Sequence, residues 1–270
     1  MEHQRLPAEF SQRKELTDWL RDAFPEIAAR DKGAISPMRG GPVPALVRFE
    51  AMKPGDYARS RNFTDGAVTR LSPYIRHGIV GLAEARDEVL SRSGPKAGYK
   101  LIRELVWRDY WLRIHDVIGD DVWADRENWK TGFSAGDYQD NLPDDISTGQ
   151  TGLACMDDFA RELADTGYLH NHSRMYIAAY VVHHRRIKWQ TGAKWFLLHL
   201  LDGDEAANNL SWQWVASTFS TRPWHFTREN LETHTRAVHC NDCARRNDCP
   251  FDKDEAALQA ELFPKMAARR

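Results

Sequence analysis

Apolar residues recur at intervals of three and four positions through most of the chain, which is typical of amphipathic helices. In segment 101–118, Leu101, Leu105 and Leu112 lie on one face of such a helix. A second segment, 157–165, opens with acidic residues and is followed by Gly167, a common helix stop. The same reasoning predicts further helices over 12–24, 173–189, 193–201 and 254–269, and one that starts near Pro73.

No alternation of strands and helices occurs along the chain, and no Gly-x-Gly-x-x-Gly turn is present. A doubly wound nucleotide-binding domain is therefore not expected. Residues 1–50 read as one helix within irregular sequence, with a Gly- and Pro-rich loop over 33–44. The pattern predicts an all-α fold with a single helical domain.

Composition narrows the class of protein further. The 270 residues are 42% hydrophobic with a net charge of −2, which permits a sizeable core and excludes wholesale disorder. The apolar run 195–198 is far shorter than the roughly 20 residues that a membrane span requires. The polar segment 1–5 does not resemble a signal peptide, so we expect a cytoplasmic protein. The near-neutral charge argues against a generic polyanion-binding tail but permits a local basic groove.

One face of the predicted helix 101–118 carries unusual chemistry. Glu104, Trp107, Arg108 and Trp111 fall at positions i, i+3, i+4 and i+7 of this helix. A carboxylate, a guanidinium and two indoles suit a planar, stackable ligand such as a nucleobase. The alternative is an amphipathic helix with two buried tryptophans and a salt-bridged edge, and periodicity alone favours that alternative.

Three further polar groups lie next to apolar segments. They are Asn171 with Arg174 and Met175; Asp202-Gly203-Asp204 with Asn208, Asn209 and Trp212-Gln213-Trp214; and Thr69-Arg70-Leu71-Ser72-Pro73. Polar groups beside buried surface need partners, which a large polar cofactor would supply. Hydroxyls before a helix also suit phosphate groups. Helix capping and turns are the simpler alternative for each group.

The cysteines are arranged in a way that suggests a metal site. Cys240-x-x-Cys243 is followed closely by Cys249, whereas Cys155 lies far upstream. With His239 the three clustered cysteines form a candidate zinc site. With Cys155 as a fourth ligand they form a candidate iron–sulfur site. Unrelated thiols are the third alternative, and the short spacing favours a metal.

Taken together, these motifs resemble the helical flavin-binding domain of the photolyase/cryptochrome family. The resemblance extends over residues 57–232, about two thirds of the chain. Several motifs occur in the family's order, so a chance match is not expected. The matching segments are 69–74, 104–108, 166–175 and 201–214.

The resemblance implies FAD held inside a helical bundle. It implies that Arg174 pairs with Asp202 and that Asn208 faces flavin N5, favouring the reduced flavin. The FAD-binding residues that it implies are Tyr57, Thr69, Leu71, Ser72, Arg108, Asn171, Arg174, Asp202, Asp204 and Asn208.

The resemblance also implies an electron chain and a lesion pocket. Trp212, Trp189 and Trp129 fall where the family keeps its photoreduction chain, and Trp129 lies in a segment without a motif to anchor it. The residues implied at the lesion are Glu104, which hydrogen-bonds the damaged bases, the packing residues Trp107, Trp214 and Met175, and Asn208.

The implied reaction is a light-driven, lyase-type DNA repair. Excited reduced FAD transfers an electron to a cyclobutane pyrimidine dimer, the ring splits, and the electron returns. We expect damaged single-stranded DNA to be the preferred partner, because less stacking is lost when the lesion flips out. Three alternatives remain: a cryptochrome-like photosensor without repair, an enzyme for (6-4) photoproducts, and a metal-bearing nucleic-acid-binding module without flavin.

The resemblance also implies a metal cluster and a domain organisation for this chain. Iron–sulfur members of the family place ligands where Cys155, Cys240, Cys243 and Cys249 lie, which predicts a 4Fe–4S cluster with zinc as the alternative. Only 56 residues precede Tyr57, so we expect neither the family's antenna domain nor an antenna chromophore. We predict three regions: an N-terminal helix with irregular sequence, a helical FAD- and DNA-binding domain, and a Cys-rich metal loop with a helix. Their bounds are 1–50, 51–235 and 236–270.

Overall fold

The computed structural model describes residues 7, 9–29 and 35–267. The chain divides into two compact units, Met1–Pro37 and Met38–Arg270. In the first unit, helix α1 (Arg13–Ala23) confirms the helix predicted over 12–24, and the single turn α2 (Pro25–Ala28) follows it. The polar segment 1–5 lies outside the described residues, as do the first two positions of the predicted loop 33–44.

The second unit is built from helices, and no strand occurs in the part of the chain that the structure describes. The predicted all-α fold class is therefore confirmed. None of the described helices is long and apolar enough to cross a membrane. The helices are α3 (Pro42–Glu50), α4 (Pro54–Ser60), α5 (Ser72–Arg76), α6 (Leu82–Ile118), α7 (Asp144–Ser147), α8 (Ala154–Thr166), α9 (Asn171–Ala179), α10 (Trp189–His199), α11 (Glu205–Ala216), α12 (Arg228–Thr235), α13 (Glu255–Leu262) and α14 (Pro264–Ala267).

Helix α3 lies in a segment that the sequence pattern predicts to be irregular, and that prediction is wrong for residues 42–50. Proline at the first position is compatible with a helix start, because its missing N–H has no intrahelical partner there. Ala45 and Phe49 then fall on one face and are buried. Burial of this apolar face stabilises a short helix that intrinsic propensity alone does not support.

Helix α6 begins well before the predicted start at residue 101. Its first part is separated from the rest by a kink at Gly94, which adopts φ 67° and ψ 173°. The next residue, Pro95, disfavours the helical conformation for the residue that precedes it. The part after the kink carries the face that includes Glu104, Trp107 and Arg108.

The continuous helix predicted over 173–189 is wrong. Helix α9 ends in a π-helical turn over Tyr180–His184, and Arg186 adopts a left-handed backbone with φ 51°. Fully buried Ile187 forms an isolated bridge with Gln139. Tertiary contacts of the intervening segment therefore end one helix and allow the next, α10, to start at Trp189.

The closing helix predicted over 254–269 is divided into α13 and α14, since Phe263 lies between them in a non-helical conformation. Positions 268 and 269 lie outside the described residues. Leu258, Leu262 and Phe263 are buried together in a small apolar cluster.

Two larger clusters form the core of the second unit. One gathers residues of α3, α5 and α6, including Phe49, Tyr74 and Val89. The other gathers α8 to α11, with Trp189 and Tyr176 among its fully buried side chains. Helix α11 contacts α6, α9 and α10, so residues of all four helices can meet around it.

Candidate functional site

Two buried carboxylates lie just before α11, and each is paired with a guanidinium. Asp202 Oδ2 is 3.1 Å from Arg174 Nη2 on α9, so the ion pair implied by the resemblance is present. Asp204 pairs with Arg108 on α6 and also caps α11, because its Oδ1 accepts a hydrogen bond from the Ala207 N–H at 3.0 Å. The loop 202–204 thereby links three helices through charged contacts.

The Asp202 carboxylate is held in its charged form. Burial would raise its pKa, but the Arg174 guanidinium and hydrogen bonds from Arg174 and Ser72 outweigh that effect and hold the pKa below its ordinary value. A buried charge with this support is a fixed feature of the site near neutral pH. It can accept hydrogen bonds but does not act as an acid there.

Asn208 and Asn209 lie one turn into α11 and are both buried. The Asn208 amide donates to the Ala193 carbonyl at 3.1 Å and to Asn209 Oδ1 at 3.0 Å. The Asn209 amide nitrogen is buried without a hydrogen-bond partner among the described residues. A buried donor without a partner is costly, which makes this position a candidate for contact with a bound polar group.

The start of α9 brings Asn171 and Met175 together, with Asn171 Nδ2 3.7 Å from Met175 Sδ. His170 caps this helix, since its Nδ1 accepts a hydrogen bond from the His172 N–H at 3.1 Å. Burial, together with the nearby positive charges of Arg70 and Arg174, lowers the pKa of His170 to about 4. The His170 Nε2 atom is buried and has no partner within the described part of the chain.

The residues predicted to contact phosphate lie at the start of α5 and on α4. Leu71 is buried, and its N–H donates to Thr69 Oγ1 at 3.3 Å. Between them Arg70 adopts a left-handed φ of 51° and lies over the Tyr168 ring at 5.2 Å. Tyr57 is partly buried, and burial with the nearby Glu104 carboxylate raises its pKa to about 12.

Glu104 is engaged in a contact that sequence reasoning missed. Its carboxylate pairs with Arg61, which follows α4, and lies 3.7 Å from Arg103. Arg61 belongs to none of the motifs, so no local signal in the sequence points to it. The side chain of Glu104 remains about one third exposed, at 30%, and is therefore accessible from solvent.

An open aromatic groove of about 340 Å³ lies between α6 and the segment after α11. The Trp107 and Trp111 rings stack at 5.2 Å, and Trp111 contacts Phe219 at 5.6 Å. Trp107 and Trp214 are respectively 46% and 39% exposed, which is high for indoles. The groove is lined by Trp107, Tyr110, Trp111, Trp214, Phe219, Ser220, Thr221 and Arg222.

The groove contains two of the residues implied at the lesion, Trp107 and Trp214, but its lining does not include Glu104 or Met175. Phe219 also lines the groove and belongs to the loop 217–221, which the resemblance places at the border of the substrate pocket. Phe219 follows a left-handed residue, Ser217, at the end of α11, and its position depends on how the chain turns there. That turn has no spacing signal in the sequence.

The three tryptophans of the predicted electron chain belong to, or pack against, the larger apolar cluster of the second unit. Trp212 is buried against Gly192, where an added Cβ would lie 2.3 Å from the indole ring. Gly192 is in the same turn of α10 as buried Trp189. Trp129 is partly buried and stacks on Tyr138 with ring centroids 4.2 Å apart.

The four cysteines meet at one small cavity although Cys155 is distant in sequence. Cys155, Cys240, Cys243 and Cys249 all line it, and all are free thiols. Burial raises the pKa of Cys155 above its ordinary value, and it raises the pKa of Cys240 to about 11. Among the described residues, no three His, Cys, Asp or Glu side chains converge closely enough to hold one metal ion.

The cavity is supported by a rigid loop on one side. Asp157 accepts hydrogen bonds from the Thr151 N–H at 2.7 Å and the Gly152 N–H at 3.1 Å, which fixes the chain just before Cys155. His239 also lines the cavity, but its Nδ1 contacts Asp158 Oδ2 at 2.7 Å.

Comparison with known proteins identifies related sequences. Residues 101–240 match the family model described as the FAD binding domain of DNA photolyase. The chain is 33% identical over 165 residues to the deoxyribodipyrimidine photo-lyase of Streptomyces griseus, covering 58% of this chain and 34% of that protein. It is 28% identical over 249 residues to a putative mitochondrial cryptochrome DASH of Neurospora crassa, covering 74% and 33%.

A solved structure has a similar fold along nearly all of this chain. The class III photolyase of Agrobacterium tumefaciens superposes with a TM-score of 0.68 at 22% identity, covering 97% of this chain and 62% of that one. The chain spans about one third of the length of the two curated relatives described above.

Proposed function

Because this chain belongs to the photolyase/cryptochrome family through its FAD-binding domain, we propose that it is a light-driven DNA repair enzyme that splits cyclobutane pyrimidine dimers. We further propose that it acts best on single-stranded DNA. Both statements go beyond family membership, since the relatives named deoxyribodipyrimidine photo-lyase are much longer than this chain.

One observation carries the proposal: the same two helices build both a buried polar site and an aromatic groove. On α6, Arg108 pairs with Asp204, while its neighbour Trp107 lines the groove. On α11, Asn208 lies at the polar site, while Trp214 lines the groove. A cofactor in the polar site and a base in the groove would therefore be held by one rigid frame.

The residues of the polar site fit FAD. The cofactor has a diphosphate, hydroxyls and a ring edge rich in hydrogen-bonding groups, and the site offers complementary groups of each kind. The partnerless donor of Asn209 and the unpaired Nε2 of His170 provide buried positions for polar contact. The residues that would hold FAD are Tyr57, Thr69, Leu71, Ser72, Arg108, Asn171, Arg174, Asp202, Asp204 and Asn208.

When bound, FAD supplies the light absorption and the one-electron chemistry, as cofactors generally do in such enzymes. The protein groups supply position and charge. Arg174 and Arg108 orient Asp202 and Asp204 through ion pairs, and the Ala193 carbonyl holds the Asn208 amide in place. Asp202, Asp204 and Asn208 are buried, so these groups are shielded from bulk water.

The groove would hold the damaged bases. Its exposed indoles, Trp107 and Trp214, offer flat apolar surfaces for stacking, which is the usual means of holding unpaired bases. Arg222 at its rim provides a positive charge suited to phosphate. Glu104 would accept hydrogen bonds from the bases, and its ion pair with Arg61 would hold the carboxylate in position. Met175 would pack near the same bases from α9.

The preference for single-stranded DNA follows from the cost of reaching the groove. A base must leave its stack to contact Trp107 and Trp214, and unpaired strands lose less on doing so.

We also propose a second cofactor, a 4Fe–4S cluster held by Cys155, Cys240, Cys243 and Cys249, because all four cysteines line one cavity. A 4Fe–4S cluster is held by four cysteine thiolates, and the chain has four cysteines. His239, the alternative zinc ligand, is engaged with Asp158. Iron and acid-labile sulfide in the anaerobically purified protein would support the cluster; stoichiometric zinc without sulfide would contradict it.

The decisive test is repair itself. The FAD-loaded, chemically reduced protein is illuminated with blue light in the presence of a thymine dimer in a single-stranded oligonucleotide, with a dark control and a matched duplex. We expect light-dependent return of intact thymine, faster on the single strand. A duplex rate equal to the single-strand rate would contradict the strand preference alone.

A photosensor is the second candidate, because a relative named cryptochrome DASH matches most of this chain. The same experiment separates the two functions. Bound FAD with no return of thymine would reject repair of this lesion, and a (6-4) photoproduct substrate would then separate a sensor from an enzyme for the other lesion.

A further inference from the structure

One carboxylate connects two of the three tryptophans in the predicted electron chain. Asp125 lies in the loop after α6 and its 3₁₀ extension, Gly119–Trp123. The Trp189 indole N–H donates to Asp125 Oδ1 at 2.7 Å, and the Trp129 indole N–H donates to Asp125 Oδ2 at 2.6 Å. Each oxygen of a single side chain therefore holds a different indole.

The two indoles differ in depth. Trp189 is fully buried, next to the turn that packs against Trp212, whereas Trp129 is only partly buried. Trp129 is thus the more exposed of the two indoles, and Asp125 links it by hydrogen bonds to the buried Trp189. The arrangement is rigid, because Trp129 also stacks on Tyr138 and Gln190 Nε2 contacts Asp125 Oδ1 at 3.4 Å.

We propose that Asp125 is a positioning residue that serves as the shared counter-ion for electron transfer between Trp129 and Trp189. The inference rests on the proposed function. In the step concerned, oxidised Trp189 gains one electron from Trp129, so Trp189 becomes neutral and Trp129 becomes a radical cation. The Trp129 Nε1 proton stays in its hydrogen bond to Asp125, and no other bond changes.

The physical basis is charge and geometry together. A carboxylate hydrogen-bonded to an indole stabilises the positive charge that oxidation places on the ring, and partial burial strengthens that attraction. Because both indoles share the same carboxylate, the positive charge can move between them without losing its counter-ion. Without this carboxylate, the positive charge on either oxidised indole would have to be stabilised by solvent.

A fourth tryptophan next to Trp189 provides a competing route for the electron, and its carboxylate partner provides a matched control variant. The Trp123 ring lies parallel to Trp189, with centroids 6.5 Å apart and an interplanar angle of 7°. Trp123 has its own carboxylate, since its indole N–H donates to Glu205. Glu205→Gln therefore removes a carboxylate from one indole outside the Trp189–Trp129 pair, whereas Asp125→Asn removes the shared one.

The first measurement tests the hydrogen bonds directly in the FAD-loaded protein. An Asn side chain offers one accepting oxygen and one donating nitrogen, so Asp125→Asn can keep only one of the two indole bonds. We expect the indole ¹⁵N–¹H signals of Trp129 and Trp189 to shift in this variant, with Trp129→Phe providing the assignment. Unchanged signals for both would overturn the inference. The comparison also shows whether the variant keeps its fold, since other indole signals should stay in place.

The second measurement follows the radical by transient absorption after a light flash. We expect Asp125→Asn to lower the yield of long-lived tryptophan radical about tenfold, and Glu205→Gln to leave it unchanged within about twofold. If the radical yield fell equally in both variants, or only in Glu205→Gln, the electron would reach Trp189 through Trp123. That result would overturn the role of Asp125. When Trp129→Phe is already present, adding Asp125→Asn should change the radical yield little. A further tenfold loss of yield in the double variant would mean that Asp125 does not act through Trp129.

Trp212→Phe separates failure of this inference from failure of the predicted electron chain, and repair by the chemically reduced parent protein tests the proposed function independently. If Trp212→Phe forms the radical normally, the predicted electron chain is wrong, and there is no electron-transfer step for Asp125 to support. Repair by chemically reduced protein does not use the chain, so Asp125→Asn should repair at the parental rate. A loss of that repair would show damage to the site and would overturn the assigned role.

Discussion

Arg108 and Asp204 form an ion pair across 96 positions of sequence, and this contact joins the later part of α6 to the residue that caps α11. Both side chains are largely buried, with exposures of 14% and 4%. Trp107, the neighbour of Arg108, lines the aromatic groove, so the pair also sets the position of one groove wall.

Removing one member of this pair should destabilise the protein strongly. In Arg108→Met the Asp204 carboxylate stays buried without its guanidinium, which typically costs about 3–5 kcal/mol. We expect a loss of that size in urea unfolding, together with loss of bound flavin. Arg113→Met is the control, since Arg113 pairs with Asp109 on the same helix at an exposed position, where about 1 kcal/mol or less is expected. Similar losses in both variants would contradict a special role for the buried pair.

Glu104→Ala should impair repair far more than flavin binding. The carboxylate is partly exposed and paired with Arg61, so its loss leaves the buried polar site in place. We expect at least about a tenfold fall in the repair rate, the equivalent of losing one hydrogen bond to a charged group, with flavin content near that of the parent. The matched control is Glu88→Ala on the same helix, a pair with Arg92 of the same 30% exposure. Parallel losses of repair and flavin would show that Glu104 is structural.

Trp107→Ala should weaken binding of single-stranded DNA. Stacking on an aromatic side chain contributes about 1–3 kcal/mol per base, so we expect a rise in Kd of roughly 5- to 150-fold for a dimer-containing oligonucleotide. Fluorescence anisotropy at fixed salt measures this change. Val117→Ala, on the same helix and 84% exposed, is the control and should leave Kd unchanged. No difference between the two variants would remove the groove as the DNA site.

Stability should fall as the pH is lowered from about 6.5 towards 4. Burial, together with the neighbouring His234 and His170, lowers the pKa of His172 to about 4, so its folded-state pKa is below its unfolded value. In that window the unfolded chain binds more protons than the folded one, and stability is therefore lost as the pH falls. One such histidine contributes a slope of up to about 1.4 kcal/mol per pH unit.

Urea unfolding between pH 4 and pH 7 measures this slope, and His172→Phe should reduce it. The phenyl ring keeps contact with Tyr176 and His234, whose rings lie 5.4 and 4.7 Å from that of His172. The buried His170 and the partly buried His184, with pKa values also lowered to about 4, should maintain part of the slope in this variant. A slope unaffected by the substitution would assign the pH dependence to those residues instead.

Local sequence determined the helical elements whose signals are contained within a few turns. The spacing of Leu101, Leu105 and Leu112 predicts the later part of α6, and the glycine stop at Gly167 predicts the end of α8, where Gly167 adopts the left-handed conformation with φ 67°. These signals are reliable because they depend on backbone conformation and on neighbours one turn away. The motif order was likewise enough to predict the family.

Tertiary structure decided what depends on residues far apart in sequence. The break between α9 and α10 follows from the burial of Ile187 and its bridge to Gln139, and no local pattern indicates it. The partner of Glu104, the position of Phe219 in the groove and the bridge from Asp125 to two indoles likewise arise only when separate helices pack. Hydrogen bonds and ion pairs act over a few ångströms in space, so spacing along the chain determines which groups share a helix face, while packing determines which groups on different elements meet.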